Sequence, residues 1–226
     1  MRKSAIVSGV LILLAFVMSA SAADREVQRA ENATRALNQI EEAPDRALPQ
    51  DLLSHAYAVA VIPDVVKAGF VVGGRYGVGL IAVRTRDGRW SYPSFVSLTG
   101  GSVGFQAGVS STDVILVFRT PRGVDSIVNG KFTLCADASA AAGPVGRTAQ
   151  ASTDAQLKAE IYSYSRSRGL FAGAALDGSV LWIDNDSNQA AYGSGVTARR
   201  VFDGGVTNVP RAITEFRDRL EEYTRR

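Results

Sequence analysis

The chain has 226 residues, and its 25 basic and 22 acidic side chains leave a formal net charge of +3. Because the charges nearly cancel, an anionic partner must be met by a local patch, and no nucleic-acid partner is expected. The only cysteine is Cys135 and the only histidine is His55. These counts exclude an internal disulfide and a metal site rich in cysteine or histidine, and no cofactor is expected.

The first predicted element is a secretory signal. A positive start at Arg2 and Lys3 is followed by an uncharged apolar run over residues 5–17 and by small residues at 20–22. This order predicts a signal peptide over residues 1–22. The apolar run is shorter than the about 20 residues that a membrane-spanning helix needs. We therefore expect an exported, periplasmic or secreted protein, without a lipid anchor because no cysteine lies near the cleavage site.

The mature chain is predicted to begin with a helical region over residues 24–54. Residues 24–40 contain no glycine or proline, and their small and aliphatic side chains recur at helical spacing. The apolar stripe is thin, so this helix is expected to dock on a folded body. Pro44 ends it, and a second short helix is expected from about Asp45 to Ser54.

A β-rich core is predicted over residues 56–201. Short apolar runs separated by glycines predict strands at residues 56–62, 68–72, 78–84, 94–99 and 114–118. Asp87-Gly88 and Asp177-Gly178 each lie between two such runs, a pattern typical of a tight hairpin turn. Short strands, tight turns and many glycines favour a largely antiparallel sheet that curls into a barrel-like core.

Two further helices are predicted. Residues 121–128 can form a short helix after a strand. Residues 209–224 carry one apolar stripe, with Asn208 as the expected cap and Pro210 in the first turn. The predicted fold class is therefore α+β, a curled sheet with N-terminal and C-terminal helices, in a single domain over residues 23–226.

The motifs do not favour an enzyme. The glycine-rich run at residues 73–79 departs from the dinucleotide fingerprint, and the Gly130-Lys131 pair lacks two required positions of a phosphate loop. Residues 184–188 resemble the start of a calcium loop but lack its glycine and its final glutamate, so a helix cap or turn is expected there. Carboxylates such as Asp137 leave open an enzyme acting on lipid or glycan, although no pair is singled out.

Basic side chains beside glycines and tyrosines are the candidates for a binding site. In a strand over residues 162–168, two tyrosines and two arginines share one face. Guanidinium groups suit phosphate oxygens, and glycine-rich turns offer backbone N–H donors as well. The candidate residues are Lys67, Lys131, Arg147, Arg166 and Arg168. Two interpretations stay open for Arg166 and Arg168: they bind an anionic ligand, or they pair with Glu160 or aspartates in a structural network.

Three stretches resemble the SYLF-domain family, which includes yeast actin-patch proteins and many exported bacterial proteins. The first runs from AVIP through KAGF to GG over residues 60–74, and the second from LTGGS to DVIL over residues 98–116. The third contains NGKF, ADAS, AGPVGR and YSRSRGLFAG over residues 129–173. The resemblance keeps the order of these motifs and extends from about residue 50 to 195.

The resemblance implies a non-catalytic domain that binds lipid headgroups. The ligands of eukaryotic relatives are phosphoinositides, often beside actin binding and membrane remodelling. Because the signal peptide predicts export, anionic phospholipid or a membrane surface is the expected partner, and actin is not. The predicted N-terminal helix lacks aromatic residues, which argues against deep membrane insertion. The alternative is an envelope structural or protein-interaction module without a small ligand.

Overall fold

The structure is a computed structural model that describes residues 23–39, 48–134, 139–144, 159–167, 170–173, 176 and 178–225. Its helices are α1 (residues 23–39), α2 (Gln50–Ser54), α3 (Pro121–Val128), α4 (Asn185–Tyr192), α5 (Ala198–Phe202) and α6 (Arg211–Thr224). Its strands are β1 (Ala58–Val83), β2 (Ser94–Phe118), β3 (Lys131–Thr133), β4 (Ala140–Ala142), β5 (Ile161–Ser167), β6 (Leu170–Gly173) and β7 (Val180–Ile183). The predicted α+β class is confirmed.

One long hairpin organises the sheet. β1 and β2 have 26 and 25 residues and pair antiparallel over nearly their whole length. The prediction of five separate short strands before residue 119 is therefore wrong, because glycines bend these strands without ending the ladder of backbone hydrogen bonds. The predicted turn at Asp87-Gly88 is confirmed: it lies between the two strands, and Gly88 has a φ of 80°.

The hairpin is folded over on itself. A Cβ atom placed on Gly79 would lie 2.2 Å from the carbonyl oxygen of Val61, and one on Gly73 would lie 2.4 Å from that of Ala68. The first half of β1 therefore packs directly against its second half. Two register shifts in the pairing of β1 with β2 mark β-bulges that permit the bend. The predicted curled, largely antiparallel sheet is confirmed.

The shorter strands extend the sheet from the two ends of β2. β5 pairs with the end of β2 and β7 with its beginning, while β3 pairs with β7 and β6 with β5, all antiparallel. β4 pairs with β5 in parallel. The predicted hairpin around Asp177-Gly178 is wrong, because β6 and β7 pair with different neighbours. Gly178 does turn the chain, with a φ of 70°, and Asp177 lies outside the described residues.

The helices agree with the prediction in part. α3 spans the residues predicted for it, whereas α6 begins at Arg211, with Pro210 and not Asn208 in the N-cap position. The extended conformation of Pro210 explains the shift, because an N-cap residue precedes the first helical φ and ψ angles. α4 and α5 fall inside the region predicted as β-rich. α2 begins at Gln50, and residues 40–47 lie outside the described residues.

Two apolar cores lie on the two faces of the sheet. The outer core packs α1, α2 and α6 against the strands and includes Val59, Ile115 and Phe216. The inner core fills the curl of the hairpin beneath α3 and includes Ile62 and Leu116. Alternate residues of the strands enter alternate cores, as expected for strands that are buried on both faces.

Candidate functional site

The bend of the hairpin is the first candidate surface. We define this crest as residues 65–76 of β1 and 99–112 of β2, which pair with each other. The crest contains two charged residues, Lys67 and Arg75, and no aspartate or glutamate. The crest is therefore positive within these bounds, and a carboxylate lies at its border, where exposed Asp64 Oδ1 accepts a hydrogen bond from Ser111 Oγ at 3.2 Å.

The crest also carries exposed apolar side chains. Val66, Tyr76 and Val109 are 43%, 54% and 78% exposed, and they are the exposed large hydrophobic residues among those whose side chains the structure describes. Ala68 pairs with Val109 and Val66 pairs with Ser111, so Val66 and Val109 share one face of the hairpin. Their concentration in one segment sets them apart from scattered surface hydrophobic residues, which need no explanation.

Lys67 is the predicted site residue that lies on the crest. Its backbone pairs with Ser110, and its exposed side chain lies on the face of the hairpin opposite to Val66 and Val109, because successive strand residues alternate in direction. Within the described residues this side chain makes no ion pair or hydrogen bond. The Lys67 ammonium group is therefore available to an anionic partner.

Arg166 lies instead in a polar cleft of about 340 Å³ between α1 and a bulge of β1, at the border of the crest. Its Nη1 donates to Oδ2 of Asp113 at 3.2 Å and to Oε1 of Gln39. Asp113 Oδ1 also accepts the backbone N–H of Asp64 at 3.0 Å, and Asp64 has a φ of 51°. Arg166 and Asp113 are only 20% and 15% exposed. These contacts favour the structural-network interpretation for Arg166.

The remaining predicted site residues are not placed on the crest. The backbone of Lys131 begins β3 and pairs with Trp182 of β7. Arg147 and Arg168 lie outside the described residues, as does Asp137. Asp184 takes the expected capping role, because its Oδ1 accepts the backbone N–H of Ser187 at 3.0 Å in the first turn of α4.

A larger cleft of about 910 Å³, the base cleft, lies at the other end of the folded hairpin. It is bounded by the turn between β1 and β2 and by residues of α3, α5 and α6. The Arg84 backbone N–H donates to the carbonyl oxygen of Tyr57 at 2.7 Å, so the start and the end of β1 meet there. The strand from Arg75 to Arg84 covers at most about 30 Å, so the near edge of the crest and the base cleft are no further apart than that.

Arginines line the base cleft, and sequence reasoning missed all of them. They are Arg84, Arg86, Arg89, Arg199, Arg217 and Arg225. Three of these arginines fall within six residues around the first hairpin turn, which is the signal that could have found the cleft. The others are distant in sequence and are brought there by α5, α6 and the end of the chain that follows α6.

Arg84 is a fixed part of the cleft wall. Its Nε and Nη1 donate to the carbonyl oxygens of Ala56 and Gly88 at 3.1 and 2.9 Å. Its guanidinium carbon lies 4.5 Å from the ring centroid of Trp90, in a cation–π contact. Burial lowers the pKa of Arg84, while the charge of Glu221 acts in the opposite direction. Arg84 thus holds the Trp90 side chain in place.

Half of the cleft arginines have carboxylate partners. The pairs are Arg89–Asp87, Arg217–Asp218 and Arg225–Glu221, at 2.7, 2.6 and 2.9 Å. Hydrogen bonds from Thr85 and Arg89 lower the pKa of Asp87 to about 2, so Asp87 stays ionised at neutral pH. The guanidinium groups of Arg86 and Arg199 make no ion pair or hydrogen bond with the described residues.

The described part of the chain lacks two further features. It holds no group of three or more histidine, cysteine, aspartate and glutamate side chains that could bind a metal ion. None of its helices has the length and apolar character that crossing a bilayer demands.

The fold defines an α+β domain built on one curled hairpin, with a basic, apolar crest and an arginine-lined cleft. A family model described as "Ysc84: Las17-binding protein actin regulator" matches residues 99–223. The chain belongs to the Ysc84 family, and the resemblance to the SYLF-domain family is thereby confirmed. The family description concerns binding and regulation and not an enzymatic reaction.

Relatives with curated names support the same assignment. The chain is 36% identical to LAS seventeen-binding protein 3 of Saccharomyces cerevisiae over 176 residues, 76% of this chain and 38% of that protein. It is 31% identical to human SH3 domain-containing YSC84-like protein 1 over 182 residues, 80% of this chain and 53% of that protein. An SH3 domain-containing protein of Schizosaccharomyces pombe is 41% identical over 162 residues, which are 70% of this chain and 37% of that protein. The chain thus spans between about a third and about half of the length of these relatives.

Proposed function

We propose that this chain is a non-catalytic phospholipid-binding domain that contacts anionic membrane surfaces through the crest. The observation that supports it is the coincidence, in one segment, of exposed apolar side chains and positive charge. The predicted signal peptide makes the partner a membrane surface that an exported protein meets. Lys67 is the predicted site residue assigned to this contact, and Lys131, Arg147 and Arg168 stay predictions.

The chemistry of the crest suits the boundary between headgroups and acyl chains. Complete burial of a valine side chain is worth about 1.5–3 kcal/mol, and a lysine or arginine near an anionic leaflet contributes about 1 kcal/mol. A tyrosine such as Tyr76 places an apolar ring and a polar hydroxyl at the same boundary. These contributions sum to a few kcal/mol, which corresponds to weak, reversible attachment.

α1 is engaged with the body of the domain. Ala30, Ala33 and Leu37 on one face of α1 are 0%, 0% and 3% exposed, because they enter the outer core. This arrangement agrees with the expectation that the N-terminal helix docks. The large hydrophobic side chains seen to be exposed lie on the crest and not on α1.

Co-sedimentation with vesicles tests the proposal. The chain is expected to bind phosphatidylglycerol vesicles at low salt. It is expected to dissociate from them at high salt, because salt screens the attraction between exposed charges. It should not bind phosphatidylcholine vesicles. Val66→Asp with Val109→Asp should abolish binding, and Lys67→Glu should weaken it.

The matched control is Arg211→Glu, which changes the net charge by the same amount at a side chain that is 92% exposed. This variant should bind like the wild type if position on the crest matters more than total charge. Wild-type binding by the folded crest variants would remove the crest from the membrane contact.

A protein-interaction module is the second candidate function. The family description, which names a Las17-binding protein, favours it. It predicts that the chain recovers a protein partner from envelope extract in the absence of lipid. Loss of that partner by the crest variants, with vesicle binding absent in the wild type, would favour this candidate over lipid binding.

A further inference from the structure

The base cleft holds charges of both signs that have no partner in the described chain. The guanidinium groups of Arg86 and Arg199 form no ion pair there, and neither do the carboxylates of Asp125 and Asp203. All four side chains are exposed and line the same cleft. A ligand with one sign of charge would meet attraction from one pair and repulsion from the other.

The floor of the cleft is aromatic and held in place. Trp90 is 3% exposed, and its Nε1–H donates to Oγ1 of Thr224 at 2.8 Å. Tyr57 and Phe202 also line the cleft and are half-buried. Burial raises the pKa of the Tyr57 hydroxyl, and the charge of Asp125 raises it further, so this carboxylate lies close to the phenol. Trp90 is covered by Arg84, so the half-buried rings of Tyr57 and Phe202, together with the carboxylates, are the groups that suit a cation.

We propose that the base cleft binds a small zwitterion that carries a phosphate and a primary ammonium group. The phosphate faces Arg86 and Arg199, whose planar guanidinium forks match phosphate oxygens. The ammonium group donates to Asp125 and Asp203 above the aromatic floor. A cleft of about 910 Å³ lies within the size range of small-molecule sites.

This site is separate from the proposed membrane contact. The base cleft and the crest lie at opposite ends of the folded hairpin, so either can bind while the other is free. The same ligand chemistry occurs in free O-phosphoethanolamine and in the headgroup of phosphatidylethanolamine, and the experiment has an arm for each source.

The first arm titrates the full chain with soluble ligands by calorimetry at low salt. O-phosphoethanolamine is expected to bind about tenfold or more tightly than inorganic phosphate, ethanolamine or phosphocholine, since phosphocholine lacks ammonium N–H donors. Arg86→Ala with Arg199→Ala should abolish this binding.

Variants of the two carboxylates distinguish binding of a zwitterion from binding of a simple anion. Asp125→Asn with Asp203→Asn should weaken O-phosphoethanolamine binding severalfold and strengthen inorganic phosphate binding, because a repulsion is removed. All four residues are exposed, so the variants are expected to fold, and circular dichroism checks this. Tighter binding of both ligands by the carboxylate variant would overturn the zwitterion proposal.

The second arm uses the Val66→Asp, Val109→Asp variant with phosphatidylethanolamine vesicles. If this variant binds the vesicles and loses that binding when Arg86→Ala and Arg199→Ala are added, the ligand of the base cleft is the lipid headgroup. If the chain binds O-phosphoethanolamine in solution but not the vesicles, the ligand is the free molecule. Absence of binding in both arms overturns the proposal. Failure of the crest contact with phosphatidylglycerol leaves the soluble titration unchanged, so the two proposals fail separately.

Discussion

The crest and the base of the hairpin are made from the same two strands, yet they differ in what covers them. At the base, side chains of β1 and β2 enter an inner and an outer core, and helices close both faces. At the crest, residues 65–76 and 99–112 pair with each other and leave Val66 and Val109 exposed. The base therefore lies within the packed cores, whereas the crest presents exposed apolar side chains, which is the basis of the proposed contact.

The two ends of the hairpin also differ in the charges that they carry. The crest has positive charge only, whereas the base cleft mixes six arginines with aspartates and Glu221. The positive charge of the crest suits a membrane with anionic headgroups, and the mixed charges of the base cleft suit a small zwitterion. Substitutions at the two ends should consequently separate stability from binding.

The largest loss of stability is expected at the base. Phe216 of α6 is 0% exposed in the outer core. Phe216→Ala should lower the free energy of unfolding by about 3–5 kcal/mol, because it leaves a cavity. Urea denaturation measures this loss, and Glu215→Ala on the exposed side of α6 is the control, with a change within about 0.5 kcal/mol. Similar midpoints for the two variants would contradict the packing described here.

A smaller loss is expected where the two halves of β1 touch. Gly79→Ala would place its Cβ 2.2 Å from the carbonyl oxygen of Val61. The strands must separate, at a cost of about 1–3 kcal/mol. Gly101→Ala is the matched control, since nothing lies within 4 Å of a Cβ at that position. Equal thermal midpoints for both variants would show that the hairpin is not folded over as described.

Stability should depend on pH through Glu26, which α1 buries against the body. Burial raises the pKa of Glu26 above the ordinary value of 4.5. This effect outweighs the opposite effect of Arg29, whose Nη1 lies 2.8 Å from Glu26 Oε2. The folded protein therefore holds this proton more tightly, so the contribution of Glu26 to stability falls as pH rises above about 4.5. Glu26→Gln should gain stability relative to the wild type between pH 4.5 and pH 7, as measured by urea midpoints. A relative loss over that interval would contradict this prediction.

The smallest effect on stability is expected at the crest. Val109 is 78% exposed, so Val109→Asp should change the free energy of unfolding by no more than about 0.5 kcal/mol. Thermal unfolding without lipid measures it. A drop comparable to that of Gly79→Ala would mean that Val109 contributes to a core and is not a contact residue.

Local signals in the sequence predicted the elements that depend on local chemistry. The turn at Gly88 and the helix after Pro121 follow from residues whose backbone preferences are strong. The continuity of β1 and β2 could not be predicted, because glycines look like strand ends until the long-range pairing is known. For α4 only a cap or turn at its start was predicted, because the rest of the helix depends on tertiary contacts: Asn188 Oδ1 accepts the backbone N–H of Phe95 at 2.9 Å.

The residues of the candidate site also differ in whether local sequence or only the fold reveals them. Lys67 was predicted from its place beside glycines in a recognisable motif; its exposure agrees with a binding role, and that role stays a prediction. The pairing of Arg166 with Asp113 joins β5 to β2 across 53 residues, so only the fold could decide between its two interpretations. The base cleft was missed because Arg86 and Arg199, far apart in sequence, line the same cleft only in the folded chain.

Hydrogen–deuterium exchange of the full chain with phosphatidylglycerol vesicles tests the central claim most directly. The account predicts slower exchange in peptides that cover the crest, residues 65–76 and 99–112, and unchanged exchange around the base turn at residues 84–92. Slower exchange confined to the base, with the crest unaffected by vesicles that sediment with the chain, would contradict the assignment of the crest as the membrane contact.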